Sequence, residues 1–489
     1  MNKTLLAASL ALALAAPRPF AAADLPDLGD PSAATMSAAD EVRIGKGVVA
    51  SMRADHEISD DAEISAYLNA LGGRISANAD TPDLHFEYFL VPDPTINAFA
   101  LPGGYVGVNS GLILATQSEA ELASVLGHES AHVAQHHMAR MQASNGANQL
   151  VVLAAILAGA LAAYKGNGQA GFGAINAGIG LSIQNQLSYS RDYEREADRF
   201  GQQYMSAAGF DARAMPAFFQ RLQQASRYSD NNALAFLRTH PVTVERISES
   251  ENRALNMPVH MRADSTDYVL VREKVRVQAQ GADEALRFYQ GALSRRQFLS
   301  EGAVWYGMAR CRLAKHDITG ARAALGEARR LLPSNPMLFM LDAEIASAAG
   351  DSSGARAAFT AGLAMFPSNR ALLLSELDFL LERGEQAIVR QRLHELIGEH
   401  PGDPALYRLQ ARLFADRDAL RYHAALGNAM YYEANYGAAM EQFQLASKAP
   451  GEDFYLRSSI EARIRELDKL LKEEAKNKGK PGSSFMTMR

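Results

Sequence analysis

The stretch LASVLGHESAHVAQHHMAR, Leu122 to Arg140, places His128, Glu129, His132, His136 and His137 within ten residues. Histidines at i and i+4 of a helix lie about one turn apart on one face, so His128 and His132 can reach one ion at about 2.1 Å. Glu129 flanks that face, where a carboxylate can take a proton from a metal-bound water as general base. This HExxH pattern is the chemistry of a zinc-dependent hydrolase, although exposed helices also produce it by chance. His136 lies eight residues beyond His128, about 12 Å along a continuous helix, and cannot join both histidines around one ion. The longer motif HExxHxxGxxH needs a glycine and a histidine where Gln135 and Met138 stand. His136 and His137 are therefore expected to be structural or solvent-facing.

A further ligand must come from another element. SYSRDYEREADRFGQQYM (188–205) reads as a helix starting near Arg191. On it Glu194 and Asp198 share a face and Glu196 points away. Glu194 could bind the ion while Asp198 hydrogen-bonds a histidine from behind. A charged helix face that is merely solvated fits the same spacing.

The elements around these residues are legible in outline. Ser118, followed by Glu119 and Glu121, marks the start of the histidine-bearing helix. NAFALPGGYVGVNSGLI (97–113) reads as a hairpin around Pro102-Gly103-Gly104, LHFEYFLV (84–91) as an alternating strand, and 38–53 and 61–79 as helices. Beyond about 265 the pattern is helical and alanine-rich. Pro333, Pro367 and Pro401 recur every 34 residues, as do His316, Gly350 and Gly384, and Trp305, Phe339 and Leu373. That period is the tetratricopeptide (TPR) pattern of stacked helix–turn–helix units. It fails after Pro401, where an irregular helix pair and a capping helix near 457–474 are expected.

Composition sets the frame. The 489 residues exceed one ordinary core. A net charge of −6 gives no footprint for nucleic acid. Lys3, an apolar run from Leu5 to Ala16 and Ala21-Ala22-Ala23 read as a cleaved signal peptide over 1–23. Cys311 is the only cysteine, so no intramolecular disulfide can form after export, and none stands at the cleavage site to carry a lipid. Export without disulfides suits a bacterial periplasm. LVVLAAILAGALAA (150–163) is too short for a membrane span of about 20 residues; it is a buried helix or an apolar flap making peripheral membrane contact. The expected division is a signal peptide over 1–23, a first domain over 24–262, a repeat domain over 263–475 and a disordered tail over 476–489.

HESAH followed by EREAD resembles the zinc metallopeptidases that include HtpX and the CAAX prenyl endopeptidases. In their E-x-x-A-D motif the first glutamate is the ligand, which implies Glu194 for zinc and Asp198 for the supporting aspartate. Their glycine-rich hairpin is matched by NAFALPGGYVGV, and their H-P-x-x-x-x-R motif by THPVTVER, giving His240 and Arg246. The resemblance implies an α+β zincin-like metallopeptidase domain, mostly helical with a small sheet, followed by an all-α TPR solenoid. It implies one Zn2+ per chain on His128, His132 and Glu194, a water in the fourth position, and Glu129 as base. His240 then has two readings: a helper to Arg246 at the oxyanion, or a fourth ligand that plugs the site, which the resemblance favours. A turn that merely caps a helix is the plainer reading of THPVT. Exported, repeat-bearing members of the family imply as partners the outer-membrane β-barrel assembly machinery and unfolded or stalled outer-membrane clients. A TPR scaffold or chaperone with a structural zinc is the alternative. A membrane-embedded prenyl-type protease fails, because no stretch reaches about 20 apolar residues.

Overall fold

The computed structural model describes residues 36–145, 191–227 and 236–477. Residues 1–23, read above as a signal peptide, the apolar run 150–163 and the tail from 478 lie outside the described residues. Among those described, no helix is long and apolar enough to cross a membrane.

Two helices lead, α1 (Ala38–Ala54) and α2 (Ala62–Ser76). Ser37 caps α1 in a reciprocal box with Asp40, and Asp61 caps α2 through the amides of Glu63 and Ile64. Strands β1 (Glu87–Val91), β2 (Ala98–Leu101) and β3 (Tyr105–Asn109) form one sheet in the order β1-β3-β2. β1 runs parallel to β3, and β2 antiparallel to it through the expected hairpin. β1 does not alternate between core and solvent, because both faces of the sheet are covered. Tyr88, Leu90, Ala98, Ala100, Val106 and Val108 enter the main core, while Phe89, Val91, Phe99 and Leu101 pack with Val48, Val49 and Met52 of α1.

Short α3 (Ser110–Ala115) leads to α4 (Glu119–Ala134), capped by Ser118 as its first turn predicts. The helix stops at Ala134. His136 adopts φ +49° and α5 (His137–Asn145) starts in a new direction, so the continuous helix assumed from the sequence is broken there. Next come α6 (Arg191–Ala207), α7 (Ala214–Arg227) and α8 (Val244–Leu255).

Helical pairs follow: α9 (Thr266–Gln280) with α10 (Ala282–Arg295), α11 (Glu301–Ala314) with α12 (Ile318–Leu331), α13 (Pro336–Ala348) with α14 (Ser352–Met365) and α15 (Arg370–Glu382) with α16 (Gln386–Glu399). The turn column of the 34-residue repeat has a backbone cause: His316, Gly350 and Gly384 all hold φ between +59° and +77°. Asp317 and Asp351, one residue on, cap the second helices. After α17 (Pro404–Phe414), α18 (Ala419–Tyr432) and α19 (Tyr436–Lys448), a 24-residue α20 (Phe454–Asn477) ends the described chain. The α+β part with its small sheet and the helical-repeat part are thus both present. One core cluster runs from Ile64 in α2 to Ile345 in α13. The joint is also polar: Lys274 Nζ lies 2.7 Å from Asp61 and 2.5 Å from Glu63, and Tyr268 Oη lies 2.9 Å from Thr116 Oγ1.

Candidate metal centre

α4 and α6 cross in backbone contact at Gly127 and Gly201, where an added Cβ would come within 2.8 Å of the opposing backbone. That crossing sets His128 and His132 against Glu194 and Asp198. Tyr88 of β1 holds the same stretch of α4 from the sheet side, its hydroxyl 2.7 Å from Ser130 Oγ. His240 arrives in the turn before α8, whose Thr243 caps the helix through the Arg246 amide. The capping turn is real, and His240 is still buried in the site.

One ligand atom each from His128, His132, Glu194 and His240 lies within 4.8 Å of the others, and all four residues are buried. His128 Nε2 is 3.1 Å from His132 Nε2 and 3.3 Å from His240 Nδ1. Glu194 Oε1 is 3.3 Å from His132 Nε2 and 3.0 Å from His240 Nδ1. Ligands about 2.1 Å from a tetrahedral ion stand about 3.4 Å apart. These separations fit that shell, and the donors, three imidazoles and a carboxylate, suit zinc.

The surroundings hold the ligands in place. Asp198 Oδ1 lies 3.0 Å from His128 Nδ1. Arg246 grips both Asp198 oxygens at 2.7 Å, approaches Glu194 Oε2 at 2.7 Å and donates to the Pro241 carbonyl at 2.8 Å. Its fork is thus committed to carboxylates and to the His240 turn. Glu129 is buried, and His240 Nε2 stands 3.5 Å from its Oε1. The β2 register places Phe99 and Leu101 in hydrogen-bonded pairs with β3, following Asn97, whose carbonyl accepts from the Asn109 amide at 3.0 Å. The alternate amides of Ala98 and Ala100 face the outer edge, and the Ala100 amide acts on Glu129.

Charge in this pocket is sharply divided. Burial pushes the Glu129 carboxyl up, against the pull of His240 and His128. Burial opposes the charge of Glu194 too, but His240 and Arg246 outweigh it and hold that carboxyl well below its usual range. Burial opposes protonation of His128, yet Asp198 and Glu194 raise it to about 10, while His132 is driven down to about 3, chiefly by burial. Protons alone leave one imidazole charged and its neighbour neutral; a divalent cation would satisfy both at once.

His137, set aside from spacing, is buried against the site. Its Nδ1 lies 2.9 Å from His132 Nδ1 and its Nε2 3.1 Å from Glu196 Oε2. Glu196 indeed points away from the cluster and also meets Arg140 at 2.9 Å. No spacing rule reveals this, because it depends on the chain turn at His136, whose own ring pairs with Glu41 at 2.7 Å.

A helical fold with a small sheet, an HExxH helix and a glutamate from a second helix define a metallopeptidase-type domain. Residues 63–254 match the model of peptidase family M48. It is 37% identical over 322 residues to a putative beta-barrel assembly-enhancing protease of Vibrio cholerae, covering 65% of this chain and 66% of that protein. It is also 37% identical over 260 residues to the beta-barrel assembly-enhancing protease of Yersinia pestis, 53% of each chain. A mitochondrial metalloendopeptidase OMA1 of Schizosaccharomyces pombe is 36% identical over 186 residues, 38% of this chain and 51% of that one. The match thus spans just under two thirds of the first relative and about half of the others.

Proposed function

We propose that this chain is a zinc endopeptidase acting in the periplasm, with a peptidase part over 24–262 and a repeat part over 263–475 that receives partner proteins. The observation that carries this is the buried set of four ligand atoms within 4.8 Å of one another, beside the carboxylate of Glu129. His128, His132 and Glu194 would hold one zinc ion. When bound, zinc supplies Lewis acidity and lowers the pKa of water toward about 7. Glu129, raised by burial, takes the proton of the attacking water and passes it to the leaving amine. Asp198 fixes the His128 ring. Arg246, committed to Asp198, Glu194 and the Pro241 carbonyl, holds the ligands and not an oxyanion. An extended peptide would add to the outer edge of β2, which favours unfolded clients.

His240 stands between Glu129 and the other ligands, and we read it as a fourth ligand that closes the resting site and must withdraw before cleavage. Relatives named for β-barrel assembly support stalled outer-membrane proteins as clients and their assembly machinery as partner. One observation favours a second reading: a closed set of four protein ligands is the form of a structural zinc, as in a scaffold or chaperone. Cleavage of an unfolded protein by zinc-loaded wild type, His240→Ala and Glu129→Gln separates the two. A faster His240→Ala with an inactive Glu129→Gln supports the closed protease. A slower His240→Ala places His240 in catalysis. Zinc binding without cleavage by any of the three supports the scaffold.

A further inference from the structure

Each of the two paired histidines on α4 uses one ring nitrogen toward the cluster, so its other nitrogen must be satisfied elsewhere. For His128 the partner is Asp198, itself clamped by Arg246. For His132 the partner is His137, at 2.9 Å between Nδ1 atoms. The tautomers follow without choice once an ion is bound. His132 gives its Nε2 lone pair to the cluster, so its proton sits on Nδ1 and is donated to His137 Nδ1. His137 accepts there, so its own proton sits on Nε2, which faces Glu196 Oε2 at 3.1 Å. Arg140 at 2.9 Å fixes Glu196 as an acceptor. The Tyr193 ring stacks on His137 with centroids 4.8 Å apart at 25°, and Arg140 lies 5.0 Å above Tyr193. The ring thus has a stacking partner on one face and a hydrogen-bond partner at each end.

We infer that His137 is a positioning residue for the metal centre: it locks the tautomer and orientation of His132 through a relay that ends on Glu196 and Arg140. Resting on the zinc reading above, this gives α6 three separate duties in five residues. Glu194 supplies a ligand atom, Asp198 holds one histidine directly, and Glu196 holds the other through a second imidazole. Carboxylate–histidine–metal triads orient ligands in this way, and losing the outer partner typically costs roughly 10- to 100-fold in metal affinity.

The test measures zinc affinity of the full chain by competition with a chromophoric chelator, and the ligand-field bands of the cobalt-loaded protein. Three proteins are compared: wild type, His137→Leu, which fills the space without an acceptor, and His137→Gln, whose amide can accept from His132 and donate to Glu196. His137→Leu is expected to bind zinc roughly 10- to 100-fold more weakly with shifted cobalt bands, and His137→Gln to recover most of the affinity and the wild-type bands. Wild-type affinity and bands in a folded His137→Leu would overturn the inference. So would a folded His137→Gln as weak as His137→Leu. Failure of wild type itself to bind zinc would instead overturn the metal reading. Should His137→Leu not fold, Glu196→Leu cuts the relay one step further out, and unchanged zinc affinity there refutes it.

Discussion

The backbone contact between α4 and α6 makes a substitution whose size can be worked from distances. A Cβ at Gly201 would stand 2.8 Å from the His128 nitrogen and 2.9 Å from both the His128 Cα and the Gly127 carbonyl carbon. None of these is the tip of a flexible side chain. Restoring ordinary contact requires the helices to part by roughly 0.5–1 Å. Alanine is a better helix former than glycine by about 1 kcal/mol, while overpacking costs about 1–3 kcal/mol. Global stability of Gly201→Ala should therefore fall by only about 0–2 kcal/mol. The metal is far less tolerant, since ligand distances must hold within about 0.2 Å and the parting helices carry His128 and Glu194. Zinc affinity should drop roughly tenfold or more, equivalent to about 1.4 kcal/mol, out of proportion to the change in Tm. Competition titration beside thermal denaturation of the chelated protein reads both quantities. Gly73→Ala on α2, with nothing within 4 Å of its Cβ, should gain about 0.5–1 kcal/mol and leave zinc untouched. A Gly201→Ala protein that binds zinc like wild type would refute the argument.

Chelation should lower Tm, and free zinc at a thousandfold excess over Kd should restore about 4 kcal/mol; a Tm indifferent to zinc would contradict the metal centre. Gly350→Ala meets no neighbour, yet forces a side chain to φ +73°, so denaturant titration should show a loss of about 1–2 kcal/mol, and no loss would contradict the backbone origin of the turn column. Burial opposes the charge of Asp61, but Lys274 outweighs it and holds the carboxyl below its ordinary value. A folded-state pKa lower than the unfolded one adds stability that is present above about pH 3.9 and lost as pH falls through the folded value. Asp61→Asn, which keeps a capping oxygen for α2, should therefore be less stable at pH 7 and flatten the acid limb of Tm against pH; a curve merely shifted downward would contradict this.

What the sequence disclosed was what repeats or caps. The i, i+4 pairs on α4 and α6, the Ser118 cap and the 34-residue turn column each reflect one element's own geometry, and each can be read without knowing its neighbours. Contacts that need two elements at once stayed hidden. The burial of β1 on both faces depends on α1 lying across the sheet. His137 was read as structural or solvent-facing, and it is structural, but its contact with His132 could not be seen before the helix break at His136, and Glu196 looked idle because its partner lies across that break. Gly201 carries no signal until Gly127 is set against it. THPVT had two readings, a plain capping turn and, by resemblance, the source of a fourth ligand; the turn does cap α8, and it also sets His240 beside the other three ligand residues.

The joint between the peptidase part and α9 bears on how such chains can be recombined. A splice at residue 262 would strip Lys274 from half-buried Asp61 and buried Glu63, and breaking a buried ion pair from one side costs about 3–5 kcal/mol. The same splice removes Ser265 and Asp264, which bond Glu119 at the root of the histidine-bearing helix. A splice after α13, where one core cluster gives way to the next between Met340 and Ile345, leaves all of these in place. The inheritable unit is therefore the peptidase part together with α9 to α13, the last of which needs a new partner helix in place of α14. The distal repeats are the part that descent or a protein engineer can exchange for another recognition surface.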